Sequence, residues 1–157
     1  MEENRINAVC SDLEILDLHK DSKDTLGDIL ELQKDTQENI YGYDFDNMTL
    51  EEIKNFWLMN KHAEGDEDHE MFDALGGIKD GIGNAVWKPW KKDNVKAETM
   101  TLKDLSVSDL KELHMEFVDK LHFMMNYAAS MGLNSKTIYN YYMAKNVENR
   151  DRQKRGY

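Results

Sequence analysis

With 157 residues, 40% of them hydrophobic and 32% charged, the chain holds one domain's worth of soluble protein and enough apolar material for a core. Its formal net charge of −11 argues against nucleic acid or a membrane surface as partner, because both are polyanionic. The lone Cys10 allows no internal disulfide, no stretch is apolar enough to span a bilayer, and the acidic opening MEENRIN lacks a signal-like apolar run, so a cytoplasmic protein is expected.

One proline and nine glycines leave few breaks, so helices can run long. Residues 1–22 have weak periodicity and read as a loose arm or a short helix, with one domain over 23–157. Leu26, Ile29, Leu30 and Gln33 recur at helical spacing between Thr25 and Gly42. Thr49 and Glu52 form a capping-box pair that opens a long helix to Leu75, and Gly76-Gly77 supplies its stop. A short helix is predicted over Lys79–Trp87, closed by the Trp87-Lys88-Pro89-Trp90 turn, and residues 91–105 read as a loop. Ser106 or Ser108 starts a second long helix to Met131, with Gly132 just beyond it. Asn134 or Ser135 then caps a last helix to about Asn149, leaving a basic tail. No segment alternates as a strand would, and no repeat is present. The predicted fold is all-α, a bundle of four to five main helices.

Successive helical residues turn by about 100°, so positions three apart share a face. Around the helix 49–75, Glu67 and Glu70 fall on the stripe of Ile53, Phe56, Asn60, Ala63, Met71 and Ala74, whereas Lys54, Lys61, Asp68, His69 and Asp73 point to water. In the helix 106–131, Leu110, Leu113, Phe117, Leu121, Met124 and Ala128 make one apolar stripe, while Glu116 and Asp119 share another face with Phe123 and Tyr127. A carboxylate among apolar neighbours has to be paired, protonated or on a metal. One such pair alone reads as a salt-bridging patch. Two pairs, both set by apolar neighbours, point to a hard cation with oxygen ligands, such as Mg²⁺.

Other features carry less. Asp66-x-x-His69 and Asp119-x-x-His122 have the spacing of di-iron ligands, but the first projects from the polar face. Trp87 and Trp90 suit a core or lid as readily as a stacked base. Lys88, Lys91 and Lys92, with the tail cations Lys145, Arg150, Arg152, Lys154 and Arg155, are by default solvated, yet in so acidic a chain they form a natural grip for phosphate.

Taken in order, Glu67-x-x-Glu70, WKPWKK (87–92), Glu116-Phe-Val-Asp119-Lys-Leu-His122-Phe123 and YMAKNVENRDRQKRGY (142–157) resemble the all-α dimeric dUTPase family of the NTP pyrophosphohydrolases, in particular the bacteriophage dCTP/dUTP pyrophosphatases. The likeness covers roughly residues 26 to 157. It implies an intertwined homodimer that cuts a deoxypyrimidine triphosphate, dUTP first and dCTP as a second substrate, into monophosphate and pyrophosphate. It further implies two or three Mg²⁺ ions on Glu67, Glu70, Glu116 and Asp119, with Glu67 or Glu70 as base. Gln33, Trp87, Trp90, His122 and Phe123 match the base and sugar pocket, and Lys88, Lys91, Tyr142, Lys145, Asn149 and Arg152 match the phosphate contacts, with 142–157 closing over them. The stretch Leu75–Val86 is longer than in many members. The alternatives are a house-cleaning pyrophosphohydrolase of other specificity, a non-catalytic acidic interaction module and, more distantly, a di-iron protein.

Overall fold

The computed structural model describes residues 14–15, 21–75 and 100–156. Within them the chain is all-α, with no strand and four helices: α1 (Thr25–Asp35), α2 (Leu50–Leu75), α3 (Val107–Ser130) and α4 (Ser135–Lys154). A π-helical turn (Thr36–Ile40) carries α1 on towards Gly42, and a 3₁₀ turn (Leu102–Asp104) lies in the predicted loop ahead of α3. Most of the arm 1–22, the short helix over Lys79–Trp87 and the turn 87–90 lie outside the described residues.

Local chemistry sets the helix ends. Asp24 caps α1, accepting from the Gly27 N–H at 3.0 Å, and its carboxylate also accepts the hydroxyl of Ser135 at the start of α4. The Ser135 bond, with the Gly27 N–H behind it, holds the Asp24 carboxyl below its ordinary range. A Cβ at Gly27 would come within 2.6 Å of that carboxylate, so a larger residue there would make the Asp24 side chain shift. The capping box of α2 is present, with Thr49 N–H donating to Glu52 at 2.7 Å and Glu52 N–H to Thr49 Oγ1 at 3.3 Å. Ser106 caps α3 through the Asp109 N–H at 3.0 Å. That helix ends at Gly132, whose φ of +65° lets the Leu133 N–H reach back to the Ala128 carbonyl at 3.0 Å.

Asn134 caps α4 by accepting from the Thr137 N–H at 2.9 Å. The helix then passes the expected stop near Asn149 and continues to Lys154. Side-chain pairs on its own surface account for the extension: Arg152 and Arg155 both donate to Glu148 Oε1 at 2.9 Å, and Lys154 to Asp151 at 3.3 Å.

The chain divides into two compact units, whose described residues fall mainly in Leu58–Phe123 for the first and in Asp17–Trp57 and Met124–Tyr157 for the second. The second has an apolar core of Leu30, Phe45, Phe56, Met125, Ala128 and Ala129. The Phe56 ring meets Tyr43 at 4.7 Å and Phe45 at 5.2 Å edge to face, contacts worth about 0.5–1.5 kcal/mol each beyond the area they bury. Trp57 donates its indole N–H to Ser130 at 2.8 Å, and the Tyr127 hydroxyl donates to the Trp57 carbonyl at 3.1 Å, so α2 and α3 are cross-bonded there.

The first unit has a different interior. Among its described residues those buried are Asn60, Ala74, Asp109, Glu112 and Glu116, polar or acidic in all but one case. Lys120 on α3 donates to Asp68 on α2 at 2.5 Å, with Glu64 at 3.8 Å, and the Asp68 bond holds the ammonium above its usual pKa. Asp68 therefore engages a cation rather than pointing only to water, as its wheel position had implied.

Gly65 sits in mid-helix in α2, and beyond its chain neighbours and the helix's own nearby backbone no described atom lies within 4 Å of where a Cβ would be. On α3 the expected apolar stripe is not the buried side: Ala128 is buried, but Phe117 is 58% and Met124 48% exposed. The helix buries Asp109, Glu112 and Glu116 in its first half, and Met125, Asn126, Ala128 and Ala129 near its end.

Candidate metal centre and nucleotide-binding residues

The capped, unbroken α2 brings Glu67 and Glu70 onto one face a turn apart, and α3 presents Glu116 to them. One carboxylate oxygen from each of Glu67, Glu70 and Glu116 lies within 4.8 Å of the other two. Glu116 is buried, Glu67 half-buried and Glu70 exposed, so the trio grades from interior to solvent. Glu70 thus belongs to the cluster without sharing the burial its wheel position predicted.

Electrostatics show how strained that grouping is for bare carboxylates. Burial pushes Glu116 from 4.5 up to about 7, with the charges of Glu70, Glu112, Asp119 and Glu67 adding to it. Burial also raises Glu67, followed by repulsion from Glu70, Asp119 and Asp66. A hard divalent cation is the species this set fits. The donors are all oxygen, and ligands about 2.1 Å from a Mg²⁺ lie up to about 4.2 Å apart, comparable with the 4.8 Å within which these oxygens lie. Among the described residues no histidine joins the acids, which does not fit the ligand set of a di-iron centre.

Asp119, the fourth predicted ligand, stands beside this trio rather than in it. Its carboxylate lies 3.4 Å from His122 Nδ1, while its charge is felt at both Glu67 and Glu116. Glu112 escaped the sequence reading, although it is buried and its charge acts on Glu116. The signal was available: Glu112 and Asp109 lie four and seven residues before Glu116, on the same helical face.

The remaining predicted residues fall as follows. His122 is half-exposed against Asp119, and Phe123 next to it is half-buried. Gln33 belongs to the second unit, where its side-chain NH₂ donates to the Asn126 carbonyl oxygen across 2.8 Å. Tyr142, Lys145, Asn149 and Arg152 share one side of α4, spaced three, seven and ten residues on from the first. Asn149 and Arg152 line a surface cavity of about 340 Å³ with Asn146, Arg150 and Gln153. The bonds from Arg152 and then Arg155 hold the Glu148 carboxyl below its usual range. Trp87, Trp90, Lys88 and Lys91 lie outside the described residues.

Two helices that converge three carboxylates in an all-α set of described residues define a class of helical protein with a cluster able to hold a cation. Comparison with known proteins narrows the class. No family model and no solved structure matches the chain. It is 31% identical over 152 residues to the dCTP pyrophosphatase of Enterobacteria phage T4, covering 92% of this chain and 89% of that relative. With the dCTP pyrophosphatase of Enterobacteria phage LZ5 it shares 39% identity over 104 residues, 64% of this chain and 60% of that relative's length. A protein of phage T4 named DNA replication protein is 30% identical over 141 residues, which is 85% of this chain but 36% of that one. The chain belongs to the family of the phage dCTP pyrophosphatases, which are nucleoside-triphosphate hydrolases.

Proposed function

We propose that the chain is a Mg²⁺-dependent dCTP diphosphatase that also accepts dUTP, yielding the nucleoside monophosphate and pyrophosphate. The observation that carries this reading is the Glu67–Glu70–Glu116 cluster, in a chain matched over 92% of its length by a dCTP pyrophosphatase. dCTP stands first because two of the three relatives are named for it.

In this reading Glu67, Glu70 and Glu116, with Asp119 beside them, hold two or three Mg²⁺ ions. A cation so held supplies the positive charge that a tetra-anionic triphosphate needs before it can approach four carboxylates, and it polarises water. Water attacks the α-phosphorus in line; the bond to the α–β bridging oxygen breaks and pyrophosphate leaves. Glu67 or Glu70 takes the proton of the attacking water, a role that the raised pKa of Glu67 favours. On α4, Tyr142, Lys145, Asn149 and Arg152 grip the β- and γ-phosphates, and their shared helix face and the cavity at Asn149 and Arg152 support this.

Gln33 reads the pyrimidine edge, Phe123 closes the sugar's 2′ side against ribose, and His122 lines the pocket. Trp87, Trp90, Lys88 and Lys91 keep their assignments by resemblance alone. The protein works in the cytoplasm as a homodimer, for which the exposed Phe117 and Met124 of α3 supply apolar surface.

The test is pyrophosphate release with Mg²⁺ from dCTP, dUTP, dTTP, dATP, dGTP and UTP in parallel. Release from dCTP that chelation abolishes, and that Glu67→Ala abolishes in a folded protein, is the expected result. Release from purine nucleotides at the same rate would make the protein a general house-cleaning enzyme, and no release at all would remove the enzymatic reading.

A further inference from the structure

The carboxylates of Glu67, Glu70 and Glu116 converge although nothing in their own chemistry favours it. Burial raises the pKa of Glu67, and the charges of Glu70, Asp119 and Asp66 add to that, so the ionised group repels itself. Two helices bearing such a set are pushed apart at that level unless something else holds them.

A tie lies one turn away, within the same compact unit. Lys120 follows Glu116 by four residues on α3, which places it about 6 Å further along the axis and about 40° round it. Its ammonium donates to Asp68 at 2.5 Å and stands 3.8 Å from Glu64, both on α2. Asp68 adjoins Glu67 and Glu64 precedes it by three residues, so the two anions that meet Lys120 bracket Glu67. They are themselves four apart, a spacing at which like charges repel across a helical turn, and the shared cation offsets that repulsion. Partly exposed as they are, these ion pairs add little to overall stability. What they fix is geometry: the rotation and height of α2 against α3 at the turn that carries Glu67.

We propose that Lys120 is a positioning residue for the metal centre: by clamping Asp68 and Glu64 it holds Glu67 and Glu70 of α2 in register with Glu116 of α3, ready for the ion. This rests on the reading of that trio as a cation site. Lys120 itself touches neither ion nor nucleotide; it acts through α2.

A clamp is separable from a simple effect of charge, because the two predict opposite signs. Removing a cation beside a metal site tightens ion binding if only its field matters, and weakens it if the cation keeps the ligands in place. The readout is Mn²⁺ binding without nucleotide, followed by the electron paramagnetic resonance of the free ion, since Mn²⁺ shares the preference of Mg²⁺ for oxygen ligands. Lys120→Met is expected to raise the Mn²⁺ Kd by about tenfold, the scale on which groups behind metal ligands act. Its metal-free Tm should change little, and Lys120→Arg should restore the affinity.

A second comparison leaves Lys120 in place. Asp66 and Asp68 adjoin Glu67 on either side with equal charge, but Asp66 is the one whose charge is felt at Glu67, and Asp68 the one bonded to Lys120. A field effect makes Asp66→Asn weaken ion binding at least as much as Asp68→Asn does. The clamp makes Asp68→Asn the worse of the two by about threefold.

If the wild type binds Mn²⁺ and Glu67→Gln loses it, while Lys120→Met binds as tightly as the wild type or more so, the clamp is wrong and the metal centre stands. Should Lys120→Met not fold, the aspartate pair decides: equal losses, or a greater loss in Asp66→Asn, overturn the clamp. If the wild type takes up no Mn²⁺, the metal reading itself fails and the proposal with it.

Discussion

Glu116 is a carboxyl whose proton belongs to the folded state. Its folded pKa of about 7 lies above the ordinary 4.5, so the folded chain binds that proton more tightly than the unfolded chain does. This contribution to stability is greatest below pH 4.5, declines as the pH rises towards 7, and is flat above. A cation needs the ionised group, so Mg²⁺ affinity should weaken as the pH falls below about 7. Thermal unfolding between pH 5 and 8, with and without Mg²⁺, is expected to show a metal-induced rise in Tm that shrinks at the acid end. Glu116→Gln should raise the metal-free Tm at pH 8 and abolish most of that rise. An undiminished rise in the variant would take Glu116 out of the metal centre.

At the level of single elements, what was legible in the sequence is what local chemistry decides. The Thr49–Glu52 box, the Ser106 and Asn134 caps and the turn at Gly132 are each made by residues within a few positions of one another, and the structure selects Ser106 over Ser108 and Asn134 over Ser135 as the caps. Thr49→Ala is expected to cost about 1 kcal/mol, lowering Tm by about 2–4 °C in a chain of this size. An unchanged Tm would mean that packing alone holds the start of α2. The extension of α4 past Asn149 was legible only in part, because it rests on Glu148 meeting Arg152 and Arg155. The buried side of α3 could not be read from its own periodicity. The helix has an apolar face and an acidic one, and which of them is covered depends on what packs against it. Glu112 lay on the acidic face all along, hidden only because the motif that drew attention begins at Glu116.

Scaled up to the whole molecule, the same α3 stripe makes a claim about assembly. Phe117 and Met124 are exposed, as are Val118 on α3 and Trp57, Leu58 and Met59 on α2, more large apolar side chains than two helices of a self-sufficient chain usually leave to water. Light scattering on a sizing column is expected to return twice the mass of the chain at micromolar concentration. Phe117→Glu should shift the protein towards half that mass without removing the caps that hold the helices. A wild-type monomer at that concentration would overturn the dimer.

Gly65 gives α2 a mechanical character that its length alone does not convey. A glycine in a helix interior weakens it by about 1 kcal/mol relative to alanine, and no described atom crowds the place where a methyl would go. The weak link comes two residues before Glu67, so it eases local opening of the segment bearing Glu67 and Glu70. Amide hydrogen exchange should be fastest around residues 63–69 of α2 in metal-free protein and slow markedly when Mg²⁺ is added. Gly65→Ala should slow it without metal. The helix would then be stiff with or without metal, and the gain in stability is expected to come with slower release of any cation that the acids hold.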